Sequence, residues 1–142
     1  MIKIVFVCTG NTCRSPMAQA ILTHTCKGDE VSADSCGIYA TDGDKLSAGA
    51  KDVLCRNGID FDHVSKRASL DTLSDADYIV GITSTHAQEL CIAYPALASK
   101  IYSFPIDVQD PFGGDAAVYD KCYEEIAKGI ESIKKVILKN EK

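Results

Sequence analysis

Apolar positions along the chain fall into short blocks whose period changes. Ile2 to Val7 is an almost unbroken β-branched and aromatic run, the pattern of a strand covered on both faces. Ala18, Ala20, Ile21 and Leu22 then give the apolar side of a helix, with Pro16 in its first turn, Ser15 as its N-cap and Lys27-Gly28 as its end. Val31 to Ser35 is a second strand, and Gly37 to Lys45 a loop rich in Gly, Thr and Asp. Ala48, Val53 and Leu54 share helical spacing over Ser47 to Arg56, closed by Asn57-Gly58. Ser69 to Leu73 reads as a helical turn, Asp77 to Thr83 as a third strand, Thr85 to Ala93 as a third helix and Ile101 to Phe104 as a fourth strand. Pro105 to Asp115 is loop. Ala116 to Lys139 closes the chain as an amphipathic helix, with Val118, Cys122, Ile126, Ile130, Ile133 and Ile137 three or four apart.

Strands that alternate with helices predict an α/β fold: a three-layer α/β/α arrangement around a four-stranded parallel sheet, in one domain over residues 1–142. In such sheets ligands bind beyond the carboxyl ends of the strands. The turn after strand 1 belongs at that end.

Composition narrows the class. The 142 residues are 46% apolar and 25% charged, as in a globular domain, and the net charge of -5 lacks the basic footprint of a nucleic-acid binder. No run approaches the roughly 20 apolar residues of a membrane span, and the opening run is too short for a signal peptide. Seven cysteines, an odd number without an export signal, speak for a reducing, cytoplasmic setting and against a disulfide framework. They lack paired CxxC spacing and the three histidines are scattered, so no metal site is expected; no cofactor motif is visible, and the chain is taken as a monomer.

The chemistry concentrates in CTGNTCRSP, residues 8–16, between the first strand and first helix. A loop curled over a helix N-terminus aims several N–H groups and the positive end of the helix dipole at one point, which suits a dianion. Gly10 gives the curl conformational freedom, and Arg14 offers a planar fork of donors to two phosphoryl oxygens. The same donors favour the thiolate of Cys8, and Ser15 is placed to donate to that sulfur. Thr9, Asn11, Thr12 and Cys13 complete the cradle. A cysteine at a strand end is more often a plain core residue; the strand-to-helix context makes the difference. Neither G-x-x-x-x-G-K nor G-x-G-x-x-G is present.

At these residues the chain resembles the low-molecular-weight protein tyrosine phosphatase family, whose signature C-x-G-N-x-C-R-S-P matches Cys8 to Pro16. The likeness continues through Ser35 in DSCG, HVSKRAS from His63 to Ser69, and DPFGG from Asp110 to Gly114. The resemblance implies that Cys8 takes the phosphoryl group of a phosphorylated protein, that Arg14 binds it and that Asp110 is the general acid. A carboxyl on a Pro-fixed loop suits that proton transfer, although Asp107 and Asp115 lie close by. It also implies that Asn11 braces the loop with Ser35 and His63 as partners. Cys13 is either a protective disulfide partner for Cys8 or a residue pointing into the core.

Thr12 bears on the substrate. Tyrosine-directed members commonly carry a larger aliphatic residue there, whereas the bacterial protein arginine phosphatases of the same family carry CTGNTCRSP. After Asp-Pro only one aromatic, Phe112, precedes Gly113 and Gly114, with Tyr39 a second candidate wall. Phosphoarginine is therefore favoured over phosphotyrosine, which would gain most from two aromatic faces. Two other readings carry less weight. An arsenate reductase needs two further redox cysteines about seven residues apart, and Cys91 is matched only by Ser84. An inactive phosphopeptide-binding module could dispense with Cys8 or Asp110.

Overall fold

The computed structural model describes residues 1–26 and 30–140. Four strands, β1 (Ile2–Cys8), β2 (Val31–Gly37), β3 (Tyr78–Gly81) and β4 (Ile101–Ser103), pair in parallel in the order β2-β1-β3-β4. Helices α1 (Arg14–Thr25), α2 (Ala48–Arg56), α3 (Leu70–Ser74), α4 (Ser84–Ala93) and α5 (Ala116–Asn140) cover the sheet, and a 3-10 turn, Pro95–Lys100, leads into β4. This is the expected three-layer α/β/α architecture. The expected end of α1 at Lys27-Gly28 lies outside the described residues.

β1 is buried on both faces, which explains its missing alternation. Ile4, Phe6 and Cys8 join the larger core with Met17 and Leu22 of α1, Leu54 of α2 and Ile126 and Ile130 of α5. Val5 and Val7 point the other way, to Leu73, Ile79 and Leu90. Successive strand residues thus feed opposite layers. The final helix buries Tyr119, Cys122, Ile126, Ile130 and Ile137, and Val118, expected on the apolar stripe, is exposed instead. Similarly, α2 buries Ala50 with Val53 and Leu54 and leaves Ala48 exposed.

The start of α1 departs from expectation. The helix begins at Arg14, so Ser15 lies inside the first turn rather than at the N-cap, and Cys13 holds the cap position without a side-chain bond. Pro16 is third in the helix, where its missing N–H is still one of the four that no helical carbonyl would accept. A serine cap would have consumed one of those donors. Here they are kept for the loop's concave side, and Ser15 is free for another task.

The sheet order reverses direction between β1 and β3, and a crevice opens beyond their carboxyl ends. Both strands run into that crevice through tight junctions. A Cβ on Gly81 would come within 2.6 Å of the Ala87 backbone nitrogen, and one on Gly37 within 2.6 Å of the Thr9 carbonyl oxygen. The glycine ending β2 therefore lets the loop after β1 lie directly against the neighbouring strand.

Candidate active site

The loop from Thr9 to Cys13 is shaped by its carbonyls. Ile38 and Tyr39 N–H donate to Cys8 O (2.9 Å) and Thr9 O (3.0 Å), Ser47 N–H to Thr12 O (2.9 Å), and Ser65 Oγ to Asn11 O (2.7 Å). Carbonyl and following N–H point oppositely in a planar trans peptide. Carbonyls held outward therefore turn the intervening N–H groups of Thr9, Gly10, Thr12 and Cys13 toward the concave side. The result is an anion cradle at the N-terminus of α1.

Asn11, not Gly10, adopts the left-handed conformation, with φ of 57°, a state asparagine tolerates better than most residues. It is fully buried, and every polar atom of its side chain is engaged. Its Nδ2 donates to Ser15 Oγ (2.9 Å) and Ser35 Oγ (3.0 Å), while Oδ1 accepts from Lys66 N–H (3.0 Å) and His63 Nε2 (3.1 Å). His63 Nε2 also lies 2.9 Å from Asn11 O, and its ring stacks on Phe61. Burial lowers the His63 pKa, opposed by the hydrogen bond to the Asn11 backbone. Ser35 passes the network on by donating to Gln19 Oε1 at 2.7 Å.

Cys8 closes the base of the cradle. Its Sγ lies 2.9 Å from Ser15 Oγ, which already accepts from Asn11. Either atom of that pair can be the donor, and the serine hydroxyl has a longer alternative acceptor in Cys36 O at 3.4 Å. Cys13 is buried beside Ser47 Oγ (3.1 Å) and Tyr119 Oη (3.5 Å), which ties the loop to α2 and α5. Burial chiefly pushes the Tyr119 phenol up to about 12, so it stays protonated as a donor. A Cβ on Gly49 would lie 2.2 Å from the Tyr119 ring, which explains the glycine in the first turn of α2.

Arg14 is buried and donates from Nη1 to Val108 O at 2.9 Å, joining the cradle to the loop between β4 and α5. That loop contains all three acidic candidates, and their partners separate them. Asp107 accepts from Ser84 N–H (3.0 Å) at the start of α4, and Asp115 accepts from Val118 N–H (3.1 Å) at the start of α5. Both are spent on helix ends. Among the described residues Asp110 accepts only a local bond from Phe112 N–H (3.1 Å), and it faces the cavity.

A cavity of about 190 Å³ unites Cys8, Thr9, Gly10, Asn11, Thr12, Cys13 and Arg14 with Asp110 and Phe112. Phe112 is 76% exposed at its mouth. Tyr39, expected as the second wall, is not among the lining residues: the residue is 65% exposed, and its N–H serves the loop through Thr9 O. Sequence reasoning missed Ser65, Gln19, Ser47, Tyr119 and His86. His86 Nε2 lies 2.9 Å from Thr9 Oγ1, and its pKa is pushed down to about 4, mainly by burial and then by the Arg14 charge, against Asp110 and Asp107.

A four-stranded parallel sheet with a cysteine-arginine cradle after its first strand defines a class of small phosphatases. The chain belongs to the low molecular weight phosphotyrosine protein phosphatase family, whose model matches residues 3–142. It is 34% identical over 138 residues to a protein-arginine-phosphatase of Geobacillus stearothermophilus, covering 92% of this chain and 93% of that protein. The solved structure of the YwlE arginine phosphatase from that organism superposes with a TM-score of 0.94 at 31% identity, over 99% of this chain and 95% of the other. The low molecular weight protein-tyrosine-phosphatase PtpB of Staphylococcus haemolyticus is 32% identical over 87% of this chain and 91% of its own. A YwlE arginine phosphatase mutant, 29% identical with a TM-score of 0.93 over 97% of both chains, has been solved with its active-site serine phosphorylated.

Proposed function

We propose that this chain, as a single catalytic domain, removes the phosphoryl group from phosphoarginine in proteins through a phosphocysteine intermediate. The observation that carries the reading is the cavity itself, where a thiol, a buried guanidinium, inward amides and one uncommitted carboxylate meet. Cys8 Sγ attacks phosphorus in line, the P–N bond breaks with its electron pair passing to nitrogen, and Asp110, protonated at this step, donates the proton that this nitrogen gains. Arg14 and the loop amides hold the equatorial oxygens where charge accumulates. Water then attacks the phosphocysteine, Asp110 accepts its proton, and the sulfur leaves stabilised by the Ser15 hydroxyl. The phosphorylated serine of the related mutant supports a covalent step at the corresponding nucleophile.

The choice of phosphoarginine rests on Thr12, half-buried in the cavity wall, and on Phe112 as the one aromatic lining residue among those described. A slim cationic substrate needs less aromatic wall and gains from Asp110 at the mouth. Phosphotyrosine is the second reading, favoured by the open face of Phe112 and the likeness to PtpB. The deciding experiment compares kcat/KM on a phosphoarginine protein and a phosphotyrosine peptide for the parent and for Thr12→Ile. A parent preference for phosphoarginine that the substitution reverses supports the assignment; a preference for phosphotyrosine in both moves the enzyme to the second reading. Cys8→Ser should abolish turnover of p-nitrophenyl phosphate, and surviving turnover would exclude phosphocysteine.

A further inference from the structure

Thr9 follows the nucleophile and lines the cavity, and its hydroxyl is within 2.9 Å of a buried histidine from α4. The tautomer of that histidine follows from its partners. His86 Nδ1 lies 3.2 Å from Thr83 N and 3.0 Å from Thr83 Oγ1. A backbone N–H can only donate, so Nδ1 is the acceptor and a neutral ring carries its proton on Nε2. Nε2 then donates to Thr9 Oγ1, occupying a lone pair of the hydroxyl. The threonine proton is left pointing away from the histidine, and the described hydrogen bonds give it no other partner.

We propose that His86 is a positioning residue that fixes the Thr9 hydroxyl as an additional donor to the phosphoryl group, supplementing the loop amides. This assignment rests on the cavity being the phosphate site. The geometry gives the ring two separable duties: Nδ1 closes the N-terminus of α4 in a capping box with Thr83, and Nε2 orients the threonine. Burial first, and then the Arg14 charge, hold the His86 pKa down at about 4 against the opposing Asp110 and Asp107, so the ring stays neutral across ordinary assay pH and the orientation persists there.

The two duties can be divided by substitution. In His86→Asn the amide oxygen can replace Nδ1 at the cap, but nothing reaches Thr9; in His86→Gln the amide nitrogen can replace Nε2. The test is a double-mutant cycle of His86→Asn and Thr9→Val, read as inhibition by inorganic phosphate and as kcat/KM for p-nitrophenyl phosphate. His86→Asn should weaken phosphate binding by about tenfold, the lower end of what one hydrogen bond to a charged group contributes. The double variant should bind no more weakly than Thr9→Val alone, and His86→Gln should recover most of the loss. Losses that multiply across the cycle, in a parent that binds phosphate and turns over substrate, overturn the His86 assignment alone. A parent that neither binds phosphate nor hydrolyses the substrate overturns the phosphatase reading with it. Nitrogen NMR of the His86 ring in the parent at pH 7 is independent of how the variants fold: protonated Nε2 and bare Nδ1 are expected, and a proton on Nδ1 overturns the proposal.

Discussion

Two loops meet at the cavity and are built in opposite ways. The loop after β1 is buried and cross-braced, with Asn11 alone held by groups from Ser15, Ser35, His63, Ser65 and Lys66. The loop after β4 is mostly exposed, and it meets the first through Arg14 and Val108 O. Binding an anion rewards donors that are already in place, because reorganising dipoles costs energy at the moment of reaction. Moving a proton to a departing group that differs from substrate to substrate rewards a carboxyl with fewer ties. The contrast is a division between holding and handing over.

The largest test of that division is to remove the carboxyl and leave the brace alone. Asp110→Asn should lower kcat by about 10²–10⁴, the range for a positioned acid or base, while leaving the melting temperature within a degree or two, since only a local Phe112 bond is at stake. A loss of stability comparable to the loss of rate would show that the acid loop is structural after all. The converse is Asn11→Ala, which leaves several buried partners unsatisfied at about 1–3 kcal/mol each before relaxation. It should lower the melting temperature markedly and reduce kcat/KM together with it, measured by thermal unfolding and p-nitrophenyl phosphate turnover. Rate loss without destabilisation would mean the cradle keeps its shape unaided.

The smallest effect concerns pH. His86 and His63 both have native pKa values below the ordinary histidine value, His86 at about 4, so between there and about 6.5 the unfolded chain binds more protons than the native one. Stability should therefore fall as pH drops through that window. Replacing His86 by Asn should flatten the slope of melting temperature against pH, and an unchanged slope would place the effect elsewhere.

The fold was legible where it depends on local patterning. The unbroken apolar run of β1, the helical spacing in α5 and the turn residues between them specified strand, helix and loop with small errors in boundary. The exposed Val118 and buried Tyr119 show where a periodic stripe drifts by one residue on meeting a particular neighbour, here Ser47 and Cys13. The site was legible only near the motif. Asp110 could be separated from Asp107 and Asp115 once their helix-end partners were visible, and Ser65, Tyr119 and His86 reach the loop across 54 to 106 positions along the chain or by contacts set only in the folded sheet. Ser15 was misplaced for a related reason. Its neighbours suggest a cap, but the helix begins one residue earlier, at Arg14, and places the hydroxyl inside the first turn beside the Cys8 sulfur.

The bracing of Asn11 has a bearing on how activity emerges as the chain folds. Its partners at Ser35, His63, Ser65 and Lys66 lie 24 to 55 residues away, so the loop cannot be closed until β2 has docked and the segment before α3 has returned over it. Helices can form in about a microsecond, whereas such distant pairings must first offset the entropy of closing long loops. On refolding, far-ultraviolet ellipticity should thus recover before turnover does. A nascent or partly melted chain would carry its thiol without the means to use it until the last long-range contact is made.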